Sequence, residues 1–409
     1  MIERYGIGMN VLKQLILAFY KVLTRILPIN HSIILFESNI GRNYTGNPKA
    51  IYEEMLRLGL DKKYRCYFIL EDMKTNIPGS AKKIRRNRFR YFYYFAKAGI
   101  WISDTRFPKH IIKRKGTIYI QTWHGTPLKK LALDMDAVFM SGETSLKDYK
   151  KNFYDNVQTW DYLISQNKYS TDIFRRAFGF EKEILEIGYP RNDILFKKNN
   201  KEDIYKIKEM LGLPQDKRVI LYAPTWRDNE YYTNGIYKFN TGLDFPLLMK
   251  ELREDTVWVV KYHYLIRDVI DWSEYEGFVY DYDKDYDISL LYLASDMLVT
   301  DYSSVMFDYS ILKRPMLFYC YDLCEYKDTL RGFYFDFMEE APGPVVETTE
   351  ALIQSIKDYS FKAYKEKYET FINKYNHADD GNASRKVIDL ITVPGTVPGT
   401  EHEVNISSK

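Results

Sequence analysis

The 409 residues predict an α/β protein of two domains, each built on a parallel sheet with helical cover. Three observations carry this. Short apolar runs bounded by turns recur along the chain in β-turn-α-β order. The stretches between them have helical apolar spacing. The polar segment 197–206 follows the turn at 189–193 and sets a domain boundary near 195. The organisation is then an amphipathic helix in 1–30, a first domain in 31–195, a second in 196–392 and a flexible tail in 393–409 that repeats VPGT.

Composition narrows the class. A 45% hydrophobic chain can bury sizeable cores, and a net charge of +3 says little about partners. Three cysteines, Cys66, Cys320 and Cys324, give no disulfide framework and fit a reducing compartment. Cys320 and Cys324 lack the further Cys or His pair of a structural zinc site.

In chain order, 9–29 is an apolar helix crossed by Lys13, Lys21 and Arg25, whose spacings of eight and four put them on one face. No uninterrupted stretch has the length and polarity of a membrane span, and no small-residue cleavage site follows. The pattern fits a helix lying in a membrane surface, and equally a helix packed on a domain. A strand over 32–38 leads into a turn over 39–47 that contains Gly41 and Gly46. Their spacing is not the dinucleotide fingerprint, so the turn faces a ligand other than a nicotinamide. A helix over 48–58 and a strand over 65–71 follow. Residues 82–97 hold six basic side chains within nine positions, Arg85, Arg86 and Arg88 among them, and then a run of aromatics. Lys109, Lys113, Arg114 and Lys115 form a second basic group. Such a stretch suits nucleic acid, anionic lipid heads, or a solvated face over buried rings; the helix before it favours lipid.

Strands over 100–104 and 118–122 come next. The second delivers His124, with Gly125 after it and a Pro turn at Pro127. A scaffold on one side and a tight turn on the other is how a reactive side chain is held, and imidazole suits proton transfer near neutrality. Strands over 160–165 and 184–188 complete the first domain.

In the second domain a helix over 202–211 precedes a strand over 219–222, which ends in Ala223-Pro224-Thr225-Trp226-Arg227-Asp228. An irregular loop over 229–242 covers the cleft. A strand over 256–261 ends at Lys261 and His263, and another covers 277–280. The stretch 294–324 organises the rest: a strand over 297–300, the polar knot Asp301-Tyr302-Ser303-Ser304, a helix from Val305, and a strand over 316–321. Ligands of open α/β sheets bind at the strands' carboxyl ends, and Ser303 and Ser304 there offer hydroxyl and amide donors to phosphate. A simple helix cap by Asp301 or Ser303 fits the same residues. Arg227, His263 and Ser303/Ser304 at three strand ends of one domain together suit a diphosphate ligand. Residues 347–385 read as two closing helices.

TWHGTPLKK (122–130), YPRND (189–193), YAPTWRD (222–228) and TDYSSVMFDY (300–309), in this order, resemble the CDP-glycerol glycerophosphotransferases of wall teichoic acid synthesis, over about 33–375. The resemblance implies two Rossmann-like domains facing a cleft in the GT-B manner, at the cytoplasmic face of a bacterial membrane. It implies transfer of glycerol phosphate from CDP-glycerol to a lipid-linked acceptor with release of CMP. The acceptor would be an undecaprenyl-diphosphate-linked disaccharide or its glycerol phosphate extension. His124 then matches a proposed base, His263 a second essential histidine on the donor side, and Ser303 and Ser304 residues near the donor phosphates, with Arg227, Lys261 and Asp301 as donor-binding neighbours. Tyr264 stands where relatives often have proline, which bears on the pose of His263.

The expected partners are CDP-glycerol, that acceptor and an anionic membrane surface, with no nucleic acid. No cofactor is expected, and a divalent cation is compatible without being required. A CDP-ribitol or UDP-sugar transferase would use the same cleft, and a non-catalytic membrane-binding module would explain the basic stretch alone. The little room for a third domain favours addition of a single unit; the catalytic part of a longer polymerase has the same sequence features.

Overall fold

The computed structural model describes residues 2–138, 145–225, 231–233, 236–237, 242–261, 271–282, 286–323 and 332–392. Arg227, His263, Tyr264, Cys324 and the tail lie outside the described residues.

The first sheet holds β1 (Asn30–Glu37), β2 (Arg65–Leu70), β3 (Lys82–Arg85), β4 (Ala98–Ser103), β5 (Ile118–Gln121), β6 (Tyr162–Ser165) and β7 (Glu183–Glu186). Its order is β3-β2-β1-β4-β5-β6-β7 and every pairing is parallel. The apolar runs read as strands because both faces are buried. Along β1, Ile33 and Leu35 point into one core layer and Ile34 and Phe36 into the other. The first layer is closed by Tyr20 and Leu23 of the helix Ile2–Ile26 and by Tyr91, Phe92 and Phe95 of the helix Phe89–Lys97. The second is closed by Ile51, Tyr52 and Met55 of the helix Gly46–Arg57.

The second domain holds β8 (Arg218–Tyr222), a small hairpin of β9 (Tyr231–Thr233) and β10 (Ile236–Tyr237), then β11 (Thr256–Val260), β12 (Val279–Asp281), β13 (Met297–Thr300), β14 (Met316–Tyr319) and β15 (Val345–Val346). Its main sheet runs β12-β11-β8-β13-β14-β15, again all parallel. Both sheets therefore reverse strand order once, at β1/β4 and at β8/β13. Crevices for ligands form at such reversals, outside the carboxyl ends of the strands.

The chain crosses between domains twice. It leaves the first sheet after β7 through the turn Pro190–Asn192 and enters the second core at Leu195. It comes back after the helix Phe361–Tyr375. The two helices expected over 347–385 are Thr349–Lys357 and Phe361–Tyr375, and a third, Ala383–Thr392, packs Val387, Ile388 and Ile391 into the first domain's core. The first domain is thus completed by residues that the sequence assigns to the second. Asp193 explains the docking: its carboxylate accepts the N–H groups of Ala383 and Ser384, both at 2.9 Å, and so caps that helix from the other crossing.

The basic stretch 82–97 divides. Arg85 and Arg88 are exposed. Arg86, expected on the same surface, turns inward instead: its guanidinium lies 3.6 Å from the fully buried Glu37. In the second group Lys113 pairs with Asp161 at 2.9 Å and Arg114 donates to the Ala96 carbonyl at 2.5 Å.

Candidate active site

The loop after β5 is held from several sides. Trp123 takes a left-handed backbone (φ 52°), costly for a bulky residue, and its ring is buried against Phe174 and Phe178. Its N–H donates to Gln121 Oε1 at 2.9 Å, and its carbonyl accepts from Asn47 Nδ2 at 2.9 Å. That fixed tryptophan is a platform for His124, whose ring stacks on it at 4.5 Å and 24°. His124 Nδ1 lies 2.8 Å from the Asp104 carbonyl oxygen. A carbonyl only accepts, so Nδ1 carries the proton and Nε2 keeps its lone pair. Protein packed around the imidazole pushes its pKa down to about 4, against the raising effect of the Asp104 hydrogen bond and with help from Arg191 and Arg106. One side of the residue is nonetheless open to cleft water. His124 is therefore neutral at physiological pH.

Opposite stands the turn after β13. Gly125 and Ser304 nearly touch across the domains: a β-carbon on Gly125 would sit 3.1 Å from the Ser304 hydroxyl oxygen. A side chain there would require the Ser304 hydroxyl to give way by a few tenths of an ångström. His124, Gly125, Thr126, Pro224, Thr225, Tyr302, Ser303 and Ser304 line a cleft of about 240 Å³. Ser303 and Ser304 are half-buried, and Ser304 makes no side-chain cap. The helix behind them, Val305–Tyr309, is short, so hydroxyls and local N–H groups matter more than a helix dipole.

Asp301, expected at the donor, is 2% exposed, and its carboxylate accepts the Thr225 N–H at 2.8 Å. Through that bond it braces the β8 loop across the strand-order reversal. Lys261 follows β11 on the adjacent strand end, 9% exposed, with its amide on the Tyr222 carbonyl at 3.0 Å. Arg227 and His263, the other two expected donor residues, fall outside the described residues. Among the described residues no three His, Cys, Asp or Glu side chains cluster as metal ligands would.

The YPRND turn carries more than the sequence indicates. Arg191 donates to the His124 carbonyl at 2.7 Å and to Asp308 of the second domain at 2.6 Å. Asn192 donates to the other Asp308 oxygen at 2.9 Å. The β-bridge between Lys129 and Phe333, with the Lys49–Asp287 ion pair at 2.6 Å, adds further ties between the domains.

Two parallel sheets with facing reversals, a neutral histidine on one wall and hydroxyls on the other define a nucleotide-dependent transferase of GT-B-like architecture. The CDP-Glycerol:Poly(glycerophosphate) glycerophosphotransferase family model matches residues 19–393. The teichoic acid poly(glycerol phosphate) polymerase of Bacillus spizizenii is 45% identical over 92% of this chain and 97% of its own length. The teichoic acid glycerol-phosphate transferase of Staphylococcus aureus is 44% identical over 93% and 99%. The solved wall teichoic acid polymerase TagF superposes with a TM-score of 0.86 at 41% identity, covering 96% of this chain and 97% of that one. The chain also spans about half the length of the Bacillus subtilis polymerase, 49%. The chain belongs to the CDP-glycerol glycerophosphotransferase family. Its activity is the transfer of glycerol phosphate from CDP-glycerol in wall teichoic acid synthesis.

Proposed function

We propose that the chain extends a lipid-linked poly(glycerol phosphate) acceptor repeatedly, with His124 Nε2 taking the proton of the attacking hydroxyl. The observation that carries this reading is the pinned imidazole: with Nδ1 committed to the Asp104 carbonyl, the basic nitrogen is left to the cleft. The acceptor oxygen attacks the phosphorus that bears the glycerol. A new P–O bond forms, the bond to the bridging oxygen breaks, CMP leaves with the electron pair, and the proton passes to His124. The leaving phosphate needs donors more than a proton. Ser303 and Ser304 are the proposed partners from the described wall, with Lys261, Arg227 and His263 completing the donor side.

The brevity of the chain is no argument for single addition, because a relative named as a polymerase is matched nearly end to end. The acceptor's lipid calls for a membrane-facing surface. In support, the helix Ile2–Ile26 leaves Leu15, Phe19 and Ile26 exposed beside Lys21 and Arg25, and Phe19 stacks on the exposed Phe89 at 5.9 Å. Among the described residues no helix is long and apolar enough to cross a membrane. On the strength of that exposed apolar and basic helix face we read the chain as a peripheral enzyme on the cytoplasmic, anionic face.

The test is His124→Ala with CDP-glycerol and a defined lipid acceptor. Transfer should fall by about 10²–10⁴ while donor affinity stays within a few fold. Near-normal turnover at saturating substrates would end the base assignment. With excess donor the native enzyme should give a ladder of products; a single addition would end the polymerase reading.

A further inference from the structure

A chain of hydrogen bonds runs behind the cleft and joins its two walls, and the transfer chemistry makes no use of it. It begins at Thr126, two residues after His124, whose hydroxyl donates to Gln166 Oε1 at 2.5 Å. Gln166 Nε2 donates to Asp379 Oδ2 at 2.8 Å. The same Asp379 oxygen accepts from Asn376 Nδ2 at 3.3 Å, and Oδ1 accepts the Tyr189 N–H at 3.2 Å. Asn376 Nδ2 also donates to the Phe307 carbonyl at 2.7 Å, and Asn376 Oδ1 accepts from the Ser310 hydroxyl at 2.6 Å. Phe307 and Ser310 lie in the helical stretch that continues from Ser303 and Ser304.

Ionised, the Asp379 carboxylate only accepts, and both amides turn their NH2 groups toward it. Burial pushes its pKa up to about 7, against the hydrogen bonds from Gln166, Asn376 and Tyr189, so this arrangement belongs to the ionised form. Gln166 then has only its oxygen for Thr126, and Asn376 only its oxygen for Ser310. Thr126, Gln166, Asn376 and Ser310 are all buried, so no bulk water can substitute for a lost partner. Asp379 lies in 376–382, one interdomain crossing, and Tyr189 belongs to the other. Gly188 (φ +80°) allows the approach, since a β-carbon there would lie 2.7 Å from Asp379 Oδ1.

We propose that Asp379 is a positioning residue for transfer: through Gln166 and Asn376 it sets the loop that carries His124 against the turn that carries Ser303 and Ser304. The inference rests on the reading that these two loops act together on the reaction. A half-buried acceptor with three N–H donors is satisfied in one arrangement, and both loops inherit that arrangement. Misplacement by about 1 Å between reacting groups can cost on the order of 10²-fold in rate.

The experiment is Asp379→Asn in the full chain. The amide keeps the size but places an NH2 against a donor. Turnover at saturating acceptor and donor should fall about 10–100-fold. The Kd for CDP-glycerol by calorimetry should stay within about threefold, because the donor sits on one wall only. A purely structural role predicts the reverse: lower melting temperature with unchanged turnover per folded molecule, and that result overturns the inference, as does an equal loss of donor affinity. If Asp379→Asn does not fold, Gln166→Leu cuts one arm only and is judged by the same split. Gln166→Leu combined with Asn376→Leu should lose less than the product of the single losses, since both act through one carboxylate; full multiplicativity overturns it too. His124→Ala run alongside separates the two ideas. Normal turnover there sinks the base assignment, whereas its collapse with an unaffected Asp379→Asn sinks the positioning role alone.

Discussion

Arg191 and Asp308 meet at 2.6 Å across the domain boundary, and the second terminal nitrogen of Arg191 holds the carbonyl of His124 at 2.7 Å. One guanidinium therefore ties the loop that carries His124 to the helix behind the serines. Asp308 is only 4% exposed, so its charge depends on this partner and on Asn192.

Removing that guanidinium leaves a buried carboxylate short of a partner. Arg191→Ala should cost about 3–5 kcal/mol of stability, toward the lower end because Asn192 still donates. Replacing both members by apolar residues should cost less than Arg191→Ala alone. Urea unfolding of the single and double variants measures this, and a single variant within 0–1 kcal/mol of native, roughly the range of a surface pair, would show that the pair carries no stability.

His124 should take up a proton only well below its ordinary range, near pH 4. The sign for stability follows. Between about 4 and 6.5 the unfolded chain holds this proton and the folded one does not, so this group's contribution rises with pH across that window. Titration of the histidine signals by NMR, with His124→Ala to assign the resonance, checks it. A midpoint near 6.5 would mean that the ring is solvated like a free histidine.

Glu37 titrates in the opposite sense. Burial pushes its carboxyl up to about 8, against the pull of Arg86 and with repulsion from Asp104 and Glu71. From about 4.5 to 8 the folded state keeps a proton that the unfolded chain releases, so stability from this group falls as pH rises. Glu37→Gln should flatten that fall and gain relative to the native enzyme between pH 5 and 8. Parallel melting curves for the two proteins at every pH would contradict the shift.

Membrane association should respond to Arg85 and Arg88 differently from the apolar face. Reversing both to glutamate should weaken binding to anionic vesicles and flatten its salt dependence, at about 1 kcal/mol per residue. Leu15→Ser with Phe19→Ser should weaken binding at all salt concentrations. Arg86 must be left in place, because it packs inward against the buried Glu37 and its loss would perturb the fold. Vesicle binding unchanged by either pair would remove this surface from the interface.

How much the sequence reveals depends on whether a signal is local. β1, β8, β11 and β13 are readable because strands buried on both faces are short apolar runs. β3 is not: only Ile84 of Lys82–Arg85 is buried, and the edge strand looks like a basic surface. His124 is visible from its place between a strand and a proline turn. Arg191, Asn192 and Asp379 are not visible as site residues, because their partners lie more than 100 positions away in sequence. The bond from Thr225 N–H to Asp301 is equally invisible in the sequence, because a carboxylate at a strand end looks the same whether it meets a ligand or a backbone N–H.

The return of Ala383–Thr392 to the first domain has a mechanical consequence. A single linker between two bodies is a swivel, and leaves them free to twist as well as to part. Two crossings side by side, stapled by Asp193 at one place and by Asp379 at another, define an axis and leave essentially one degree of freedom. Relative motion of the two domains is then confined to rotation about that axis, which keeps the loop of His124 in register with the turn of Ser304.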